Sequence, residues 1–234
     1  MPDFRPTHPI RAVLFDWDDT LLNSYDARIQ ALQFAFDAAG IGQPTAAEFI
    51  PHMMGRELSG PLKELQAVKG SDADLVSLYR RHYWLEGGGH IQLLPGVEDL
   101  LNRLHASGIR LGVVTQKFRS CEIEGRSFGA ITELRRLGIE GLFGAVVGSD
   151  DVAKPKPHPE GLHLALERLG ARPDETLMVG DSAADVQAGL AAGCWSVHAT
   201  WGLSSDHPGL NSVEPHLVAA RPEAVLSAAL SAAS

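Results

Sequence analysis

The sequence of 234 residues predicts an α/β fold, in which a doubly wound, Rossmann-like parallel sheet carries an inserted all-helical cap subdomain. Three observations predict it. Short apolar runs of β-type composition alternate with segments of helical periodicity, glycines stand just past the helical segments, and one long stretch near the N-terminus is helical throughout. Strands and helices that alternate in this way form βαβ units, whose helices cover both faces of a parallel sheet.

Five short runs bounded by turn residues are predicted as strands, at residues 12–15, 111–114, 145–147, 176–179 and 195–199. Helical periodicity predicts helices at residues 97–106, 128–137, 159–169 and 183–192, with a last helix after Glu223. A residue with positive φ often ends a helix, and glycine adopts that conformation most easily. The glycines in these positions are Gly108, Gly138, Gly170 and Gly193.

Residues 24–89 break the alternation of strands and helices. Apolar residues recur there at three- and four-residue intervals, as in Ile29, Leu32 and Phe36. We therefore predict a core domain of residues 1–23 and 90–234, and a helical cap subdomain of residues 24–89. Hinges are expected near residues 22–24 and at the glycines 87–89, although three glycines are equally typical of a surface loop.

Composition limits the classes of partner. The net charge of −9 argues against a broad surface for nucleic acid or anionic membrane, and leaves small, metal-bridged anions as ligands. Cys121 and Cys194 lie far apart in sequence, which indicates neither a disulfide framework nor a zinc site. No stretch approaches the roughly 18 apolar residues of a membrane span, and the start lacks a signal peptide's apolar region. We expect a cytoplasmic protein that is a monomer or homodimer.

The most informative motif is DWDDT at residues 16–20, which follows the first predicted strand directly. Asp16, Asp18 and Asp19 repel one another there, so a divalent metal is expected between them. Taken alone, the motif could equally be a polar turn that begins the next helix, because Asp and Thr are favoured caps. The residues that follow the other strands decide between these interpretations.

Ligands of open parallel sheets bind beyond the carboxyl ends of the strands, so residues there become neighbours. Thr115 and Gln116 follow the second strand, and Asp181 and Asp185 follow the fourth. A lysine-containing, proline-rich loop at residues 150–157 adds positive charge. In phosphoryl transfer a carboxylate can attack phosphorus, a second can move the proton, and others can hold Mg²⁺. In isolation, the last two aspartates would more commonly be an N-cap and a solvated side chain.

Four segments resemble, in order, the four motifs of the haloacid dehalogenase superfamily, and the likeness covers nearly the whole chain. They are residues 16–20, 113–115, 154–157 and 180–185. The similarity is greatest to the phosphoglycolate-phosphatase-like branch. It implies that Asp16 is the nucleophile and Asp18 the general acid and base. It also implies that Thr115 and Lys154 bind phosphate. Gln116 stands where the family has asparagine, and its longer side chain would carry the same amide group to the phosphate site.

The resemblance also implies a magnesium site. Asp16, Asp18 through its carbonyl, and Asp181 would surround Mg²⁺, and Asp185 would support the metal directly or through water. The family pattern of a lysine followed by Pro-x-Pro selects Lys154, so that Lys156 is interpreted as surface charge.

These residues predict a Mg²⁺-dependent phosphatase that hydrolyses a small phosphorylated metabolite, phosphoglycolate-like or a sugar phosphate, through an aspartyl-phosphate. Alternatives are a phosphomutase of the β-phosphoglucomutase type and a catalytically weakened phosphate-binding or receiver-like signalling protein. A dehalogenase is disfavoured, because halide displacement does not need the acid and base that Asp18 supplies. Arg56 and Lys63 in the cap are candidates for contacting a second anionic group, although a solvated helix face is the commoner role for either.

The chain departs from the family pattern in three places. Asp19 stands where relatives have glycine, which adds bulk and charge unless its side chain points outward. Gln116 replaces an asparagine. Residues 120–128 form an excess over the family spacing, and could lengthen a helix, bulge as a flap or disturb the phosphate site. The tetrapeptide IEGR at residues 123–126 also resembles a processing-protease recognition sequence, which is either introduced or natural.

Overall fold

A computed structural model describes residue 4 and residues 6–45, 58–87, 91–202 and 213–231. Within these ranges the strands are numbered β1 to β10 in chain order. They span Ala12–Phe15, Leu22–Asn23, Gln92–Leu93, Arg110–Val114, Cys121–Ile123, Arg126–Phe128, Phe143–Val147, Thr176–Gly180, Trp195–Ala199 and Leu217–Ala219.

Six of these strands form one parallel sheet in the order β10-β9-β8-β1-β4-β7. The five predicted strands are confirmed, two of them with identical bounds. The edge strand β10 was not predicted, because a run of only three residues carries too little periodicity to be recognised. The first strand lies near the centre of the sheet, between β8 and β4.

The helices are numbered α1 to α8 over the same part of the chain, and a π-helical turn at Tyr83–Gly87 follows α3 directly. They span Tyr25–Ala39, Ser59–Lys69, Leu75–His82, Val97–Ala106, Ala130–Arg136, Glu160–Leu169, Ala183–Ala192 and Pro222–Ser231. The predicted helices at 97–106 and 183–192 are confirmed with the same bounds. Gly170 and Gly193 end α6 and α7 in the left-handed conformation, as expected. Among the helices described here, none has the length and apolar composition that a membrane crossing requires.

Two hydrophobic cores cover the two faces of the sheet. Successive residues of a strand point to opposite faces. Accordingly Val13 and Phe15 of β1 belong to one core, whereas Ala12 and Leu14 belong to the other, with Leu162 of α6. Each fully buried leucine contributes about 1.5–3 kcal/mol to stability. A continuous apolar strand is therefore what a sheet covered on both faces requires, and the predicted doubly wound fold is confirmed.

The predicted helix over residues 128–137 is wrong at its start. Phe128 ends β6, which pairs with β5 as an antiparallel hairpin, and α5 begins only at Ala130. Glu124 and Gly125 have φ angles of 51° and 72°, the left-handed conformations that two-residue hairpin turns favour. Gly129 separates hairpin from helix at a φ of 128°, and a Cβ there would lie 2.5 Å from the carbonyl oxygen of Arg119. The excess segment is therefore a hairpin.

The helices α1, α2 and α3 and the π-helical turn lie between β2 and β3, and we call residues 24–87 the cap segment. No strand occurs among the cap-segment residues that the structure describes. The strands β2 and β3 pair antiparallel, with Leu22 opposite Leu93, so the chain leaves and rejoins the core side by side. Residues 88–90, with two of the proposed hinge glycines, lie outside the described residues. The division into core and cap domains stays a prediction.

A buried ion pair joins the cap segment to the loop after β1. The guanidinium of Arg28 on α1 contacts the carboxylate of Asp19. The Asp19 side chain is 5% exposed, so it does not point outward. Its φ of 59° is the left-handed conformation that glycine would adopt there without strain, and aspartate is among the few other residues that tolerate it.

We predict that Arg28→Met lowers the free energy of unfolding by about 3–5 kcal/mol, because a buried carboxylate loses its cation. Asp19→Gly should cost less, since glycine accepts the backbone conformation and Arg28 keeps the nearby charges of Asp18 and Asp181. Urea unfolding of both variants and of the double variant measures the coupling. Stability losses that simply add in the double variant would contradict the pairing.

Candidate active site

A pocket lies where the carboxyl ends of β1, β4 and β8 meet the cap segment. The core contributes to its lining Asp16, Asp18, Asp19, Thr115, Gln116, Lys117, Phe118, Lys156, Asp181, Ser182 and Asp185. The cap segment contributes Arg28, Leu58, Tyr79, Arg80, Tyr83 and Trp84. The expectation that residues after different strands would converge is confirmed in geometry.

Asp16 emerges at the centre of the sheet because β1 is held on both sides. Phe15 lies opposite Val113 of β4 and Val179 of β8, and the backbone N–H of Asp16 donates to the carbonyl of Val179 at 2.8 Å. The chain proceeds from β1 to β4 and β7 on one side, and then crosses to β8 on the other. Such a switch in strand order is where open α/β sheets bind ligands.

Three buried carboxylates form a group that could hold a metal ion. Asp16, Asp181 and Asp185 each offer an oxygen, and these atoms lie within 4.8 Å of one another. Burial, together with the charges of Asp185 and Asp181, raises the pKa of Asp16 well above its ordinary value, although Lys156 opposes the shift. Carboxylate oxygens are the donors that hard divalent cations prefer. The side chain of Asp18 is not part of this group, and its predicted carbonyl contact stays a prediction.

The turn from β8 into α7 fixes the two later aspartates. Ser182 is the N-cap of α7, and the carboxylate of Asp185 accepts from its backbone N–H at 3.0 Å, which forms a capping box. A Cβ on Gly180 would lie 2.3 Å from the Asp185 carboxyl carbon, so glycine permits this approach. The hydroxyl of Thr20 donates to Asp181 at 3.0 Å. Asp181 is therefore not the N-cap and Asp185 is not solvated, contrary to the alternative for these residues taken alone.

The site contains Lys156 and not Lys154. The ammonium of Lys156 donates to Asp16 at 2.5 Å, to Asp185 at 2.6 Å and to the carbonyl of Val114 at 2.7 Å. Lys154 is exposed and does not line the pocket. The prediction that placed Lys154 in the site and Lys156 on the surface is therefore wrong.

A physical reason and a sequence signal both account for this error. Burying an ammonium is costly unless carboxylates and carbonyls replace its water, and Lys156 meets such partners while Lys154 remains hydrated. Accordingly Asp16 and Asp185 raise the pKa of Lys156, against the lowering effect of burial. The sequence held the signal, because a lysine followed by Pro-x-Pro occurs twice, at residues 154–157 and again at 156–159.

Thr115 and Gln116 both line the pocket, as predicted. Thr115 is buried, and its backbone N–H donates to the carbonyl of Val147 at 2.9 Å. The amide of Gln116 donates to the carbonyl of Lys156 at 2.6 Å, which helps to hold the lysine loop. Phosphate contact by either residue stays a prediction.

Asp18 belongs to a buried polar cluster that the sequence did not reveal. Lys117 contacts Asp18 at 3.0 Å and Glu133 at 3.0 Å, and it donates to the Tyr83 hydroxyl at 2.8 Å. The indole of Trp17 donates to Glu133 at 2.6 Å. Glu133 lies on α5, where a glutamate is normally solvated, so no local pattern indicated its burial. For Lys117 one feature of the sequence indicated a place near the site, because it directly follows Thr115 and Gln116.

The cluster and its neighbours shift the pKa values of these groups in opposite directions. Burial would raise the pKa of Asp18, but Lys117 and Arg28 together lower it below its ordinary value. Burial and the charge of Asp18 raise the pKa of Glu133, against the effects of Lys117 and Trp17. Asp16 and Asp18 therefore titrate differently although they are two residues apart.

The cap wall of the pocket carries cations beside aromatic rings. Arg80 lies over the ring of Phe118, 4.3 Å from its centroid, and donates to the Ser59 hydroxyl at 3.1 Å. Lys63, a candidate for substrate contact, is exposed and does not line the pocket. Arg56, the other candidate, lies outside the described residues.

The hairpin of β5 and β6 packs against the cap segment. Arg81 pairs with Glu124 at 2.7 Å, and the rings of Trp84 and Phe128 lie 5.7 Å apart. Among the pocket-lining residues that the structure describes, none comes from residues 121–128. Of the three possibilities for the excess segment, the structure thus supports a flap and does not place it in the phosphate site.

Comparisons with known proteins identify the family of the chain. The family model for haloacid dehalogenase-like hydrolase matches residues 13–199. The chain is 35% identical over 217 residues to a phosphoglycolate phosphatase of Salmonella typhimurium, covering 83% of each protein. It is 32% identical over 197 residues to the pyrophosphatase PpaX of Bacillus pumilus, covering 84% of this chain and 86% of the relative.

Solved structures show the same fold. The crystal structure of a predicted phosphoglycolate phosphatase from Haemophilus somnus has a TM-score of 0.76 and 25% identity, covering 93% of this chain and 97% of that one. A haloacid dehalogenase-like hydrolase from Streptococcus pneumoniae has a TM-score of 0.73 and 26% identity, with 93% and 97% coverage. The resemblance stated from the motifs is confirmed: the chain belongs to the haloacid dehalogenase-like hydrolase family and is a phosphatase enzyme.

Proposed function

We propose that the chain is a Mg²⁺-dependent phosphatase that hydrolyses a small phosphorylated metabolite through an aspartyl-phosphate on Asp16. One observation carries the proposal. The carboxylate of Asp16 lies at the end of the central strand, within reach of Lys156 and of two further carboxylates, and Asp18 lines the same pocket. The residues to which the proposal assigns the nucleophile, the acid and base, the cation and the metal ligands thus line one cavity.

Mg²⁺ fits the acidic group at the sheet edge. Asp16, Asp181 and Asp185 offer hard oxygen donors within 4.8 Å of one another, and they would hold the ion. When bound, Mg²⁺ would neutralise part of the negative charge that the carboxylates and a phosphate ester bring together. Lys156 supplies a further positive charge at the same point.

The reaction would proceed in two balanced steps. In the first, a carboxylate oxygen of Asp16 bonds to phosphorus while the phosphorus–ester bond breaks, and the leaving oxygen takes a proton from Asp18. In the second, Asp18 takes a proton from water as the water oxygen bonds to phosphorus. The bond to Asp16 then breaks, inorganic phosphate leaves, and both aspartates return to their starting states.

Three side chains are suited to hold the non-bridging phosphate oxygens. Thr115 and Gln116 line the pocket beside Asp16, and Lys156 takes the role that the sequence had given to Lys154. Donors that are fixed before the reaction stabilise developing charge without reorganising during it.

The substrate is expected to be small and anionic. Two of the curated relatives are named for phosphoglycolate and for pyrophosphate, both of which carry a second anionic group. Arg80 and Arg28 on the cap wall could meet such a group, and guanidinium is suited to carboxylate and phosphate. A sugar phosphate fits the same proposal.

The alternative of a catalytically weakened binding protein gains no support from Asp19. Its carboxylate pairs with Arg28, so the charge that departs from the family pattern is neutralised. A cytoplasmic location and a monomeric or dimeric state remain predictions.

We predict that the purified protein with Mg²⁺ releases inorganic phosphate from at least one of phosphoglycolate, pyrophosphate, sugar monophosphates and p-nitrophenyl phosphate. Chelation by EDTA should abolish turnover, and added Mg²⁺ should restore it. Asp16→Asn should lower kcat at least about 10³-fold, because the amide cannot act as the nucleophile.

Other outcomes would indicate the alternatives. No phosphate release from any of these compounds would contradict a phosphatase. Sugar-phosphate isomerisation faster than phosphate release would indicate a phosphomutase. An aspartyl-phosphate that persists for minutes without turnover would indicate a receiver-like protein.

The two neighbouring lysines provide a matched comparison. Lys156→Met should lower kcat at least about 10²-fold, because it removes a fixed cation beside the nucleophile. It should also cost about 3–5 kcal/mol of stability in the absence of metal, since Asp16 and Asp185 lose their buried partner. Lys154→Met should leave kcat unchanged within about twofold, because its ammonium is exposed. Similar losses for both variants, measured by phosphate release and urea unfolding, would contradict the assignment of Lys156.

A further inference from the structure

We propose that Lys117 is a positioning residue, which orients Asp18 for its proton transfers and is itself fixed by Glu133 and by Tyr83 of the cap segment. This inference rests on the proposed function, in which Asp18 is the acid and base. Its geometric basis is three residues that the mechanism above does not use, Lys117, Glu133 and Tyr83.

The contact between Lys117 and Asp18 restrains the carboxylate directly. The ammonium lies 3.0 Å from the Oδ1 atom, and the two side chains are 10% and 19% exposed. At such a depth the attraction between opposite charges is only weakly screened by water. A carboxylate that must meet both a leaving oxygen and a water gains from being held in one orientation.

Lys117 is itself held by all of its donors. An ammonium has three N–H groups, and the ammonium of Lys117 contacts three residues: Asp18, Glu133 and Tyr83. Its charge also lies over the rings of Tyr83 and Trp84, 4.9 and 5.2 Å from their centroids. Rotation of the lysine side chain would therefore break several of these contacts at once.

Glu133 anchors the lysine without facing the substrate. It is buried, it accepts from the indole of Trp17 at 2.6 Å, and it does not line the pocket. Of the two carboxylates that share Lys117, Asp18 alone lines the cavity where an ester would bind. Glu133 balances the positive charge of Lys117 and holds its ammonium in place. The ammonium in turn holds the carboxylate of Asp18.

Tyr83 connects this cluster to the cap segment. It lies in the π-helical turn after α3, whereas Asp18, Lys117 and Glu133 come from β1, β4 and α5 and their loops. Its hydroxyl accepts from Lys117 at 2.8 Å and lies 3.4 Å from Glu133. The position of the cap segment thus bears on the orientation of Asp18 through Lys117.

Substrates with different leaving groups can distinguish a role in positioning Asp18 from a merely structural role of Lys117. An alkyl phosphate needs a proton on its leaving oxygen, whereas p-nitrophenyl phosphate releases a phenolate that is stable without one. The ratio kcat/KM reports the steps up to formation of the aspartyl-phosphate, which include this proton transfer. A misplaced Asp18 should therefore lower kcat/KM more for the alkyl ester than for the aryl ester.

The experiment compares kcat/KM on p-nitrophenyl phosphate and on the best alkyl phosphate of the panel. Asp18→Asn is the benchmark. The double variant Lys117→Met/Glu133→Gln removes both buried charges together, Tyr83→Phe removes one hydroxyl, and Arg81→Met removes an exposed cap cation that pairs with Glu124. We expect the double variant to lose at least about tenfold more on the alkyl ester, Tyr83→Phe about threefold more, and Arg81→Met no such bias.

Equal losses on both esters in the double variant and in Tyr83→Phe, while Asp18→Asn discriminates, would overturn the role of Lys117. If the double variant does not fold, Tyr83→Phe decides by the same criterion. If Asp18→Asn itself lowers kcat/KM equally for both esters, the acid and base role of Asp18 in the proposed function is contradicted instead.

Discussion

Three aspartates follow the central strand within four residues, and each is neutralised by a cation from a different part of the chain. Asp16 pairs with Lys156 from the loop before α6, Asp18 with Lys117 after β4, and Asp19 with Arg28 of the cap segment. A buried carboxylate without such a partner would cost several kcal/mol. The ion pairs of residues 16–19 therefore fix the positions of the lysine loop, of the loop after β4 and of α1 around the site.

The same arrangement gives neighbouring aspartates different chemistry. Asp16 is buried and shares its surroundings with Asp185 and Asp181, so its pKa is raised and a further cation would be bound favourably. Asp18 has Lys117 and Arg28 nearby, so its pKa is lowered. Carboxylates in distinct environments can divide the work of a reaction. A bound Mg²⁺ would lower the pKa of Asp16 and favour the ionised nucleophile, whereas Lys117 and Arg28 favour the ionised form of Asp18, which is the form that accepts a proton from water in the second step.

Local patterns predicted the elements and the edge of the sheet where the site lies. The strand at 12–15 and the helices at 97–106 and 183–192 were identified because periodicity and terminal glycines act over a few residues. Convergence of the motifs followed from parallel topology. The buried polar contacts could not be predicted from local patterns, because residues such as Trp17 and Glu133 are separated by 116 positions in the sequence. The choice between Lys154 and Lys156 failed because two overlapping copies of one pattern differ only in what lies opposite them in the fold.

Two of the three departures from the family pattern involve contacts with the cap segment. Asp19, in place of glycine, pairs with Arg28 of the cap segment, and the hairpin of the excess segment meets Arg81 and Trp84 of the cap segment. These two departures therefore each add a contact between the cap segment and the remainder of the chain, whereas Gln116 contacts the lysine loop of the core.

Those contacts connect the cap segment to the chemistry as well as to the fold. Arg28 and Tyr83 line the pocket, and they contact Asp19 and Lys117, which stand beside Asp18. An anionic substrate that attracts Arg28 must change the balance of charge that holds the cap segment. By linkage, any displacement of the cap segment must in turn change the affinity for that anion. Under the proposed function, substrate binding and cap position would therefore be linked, because the same cations serve both.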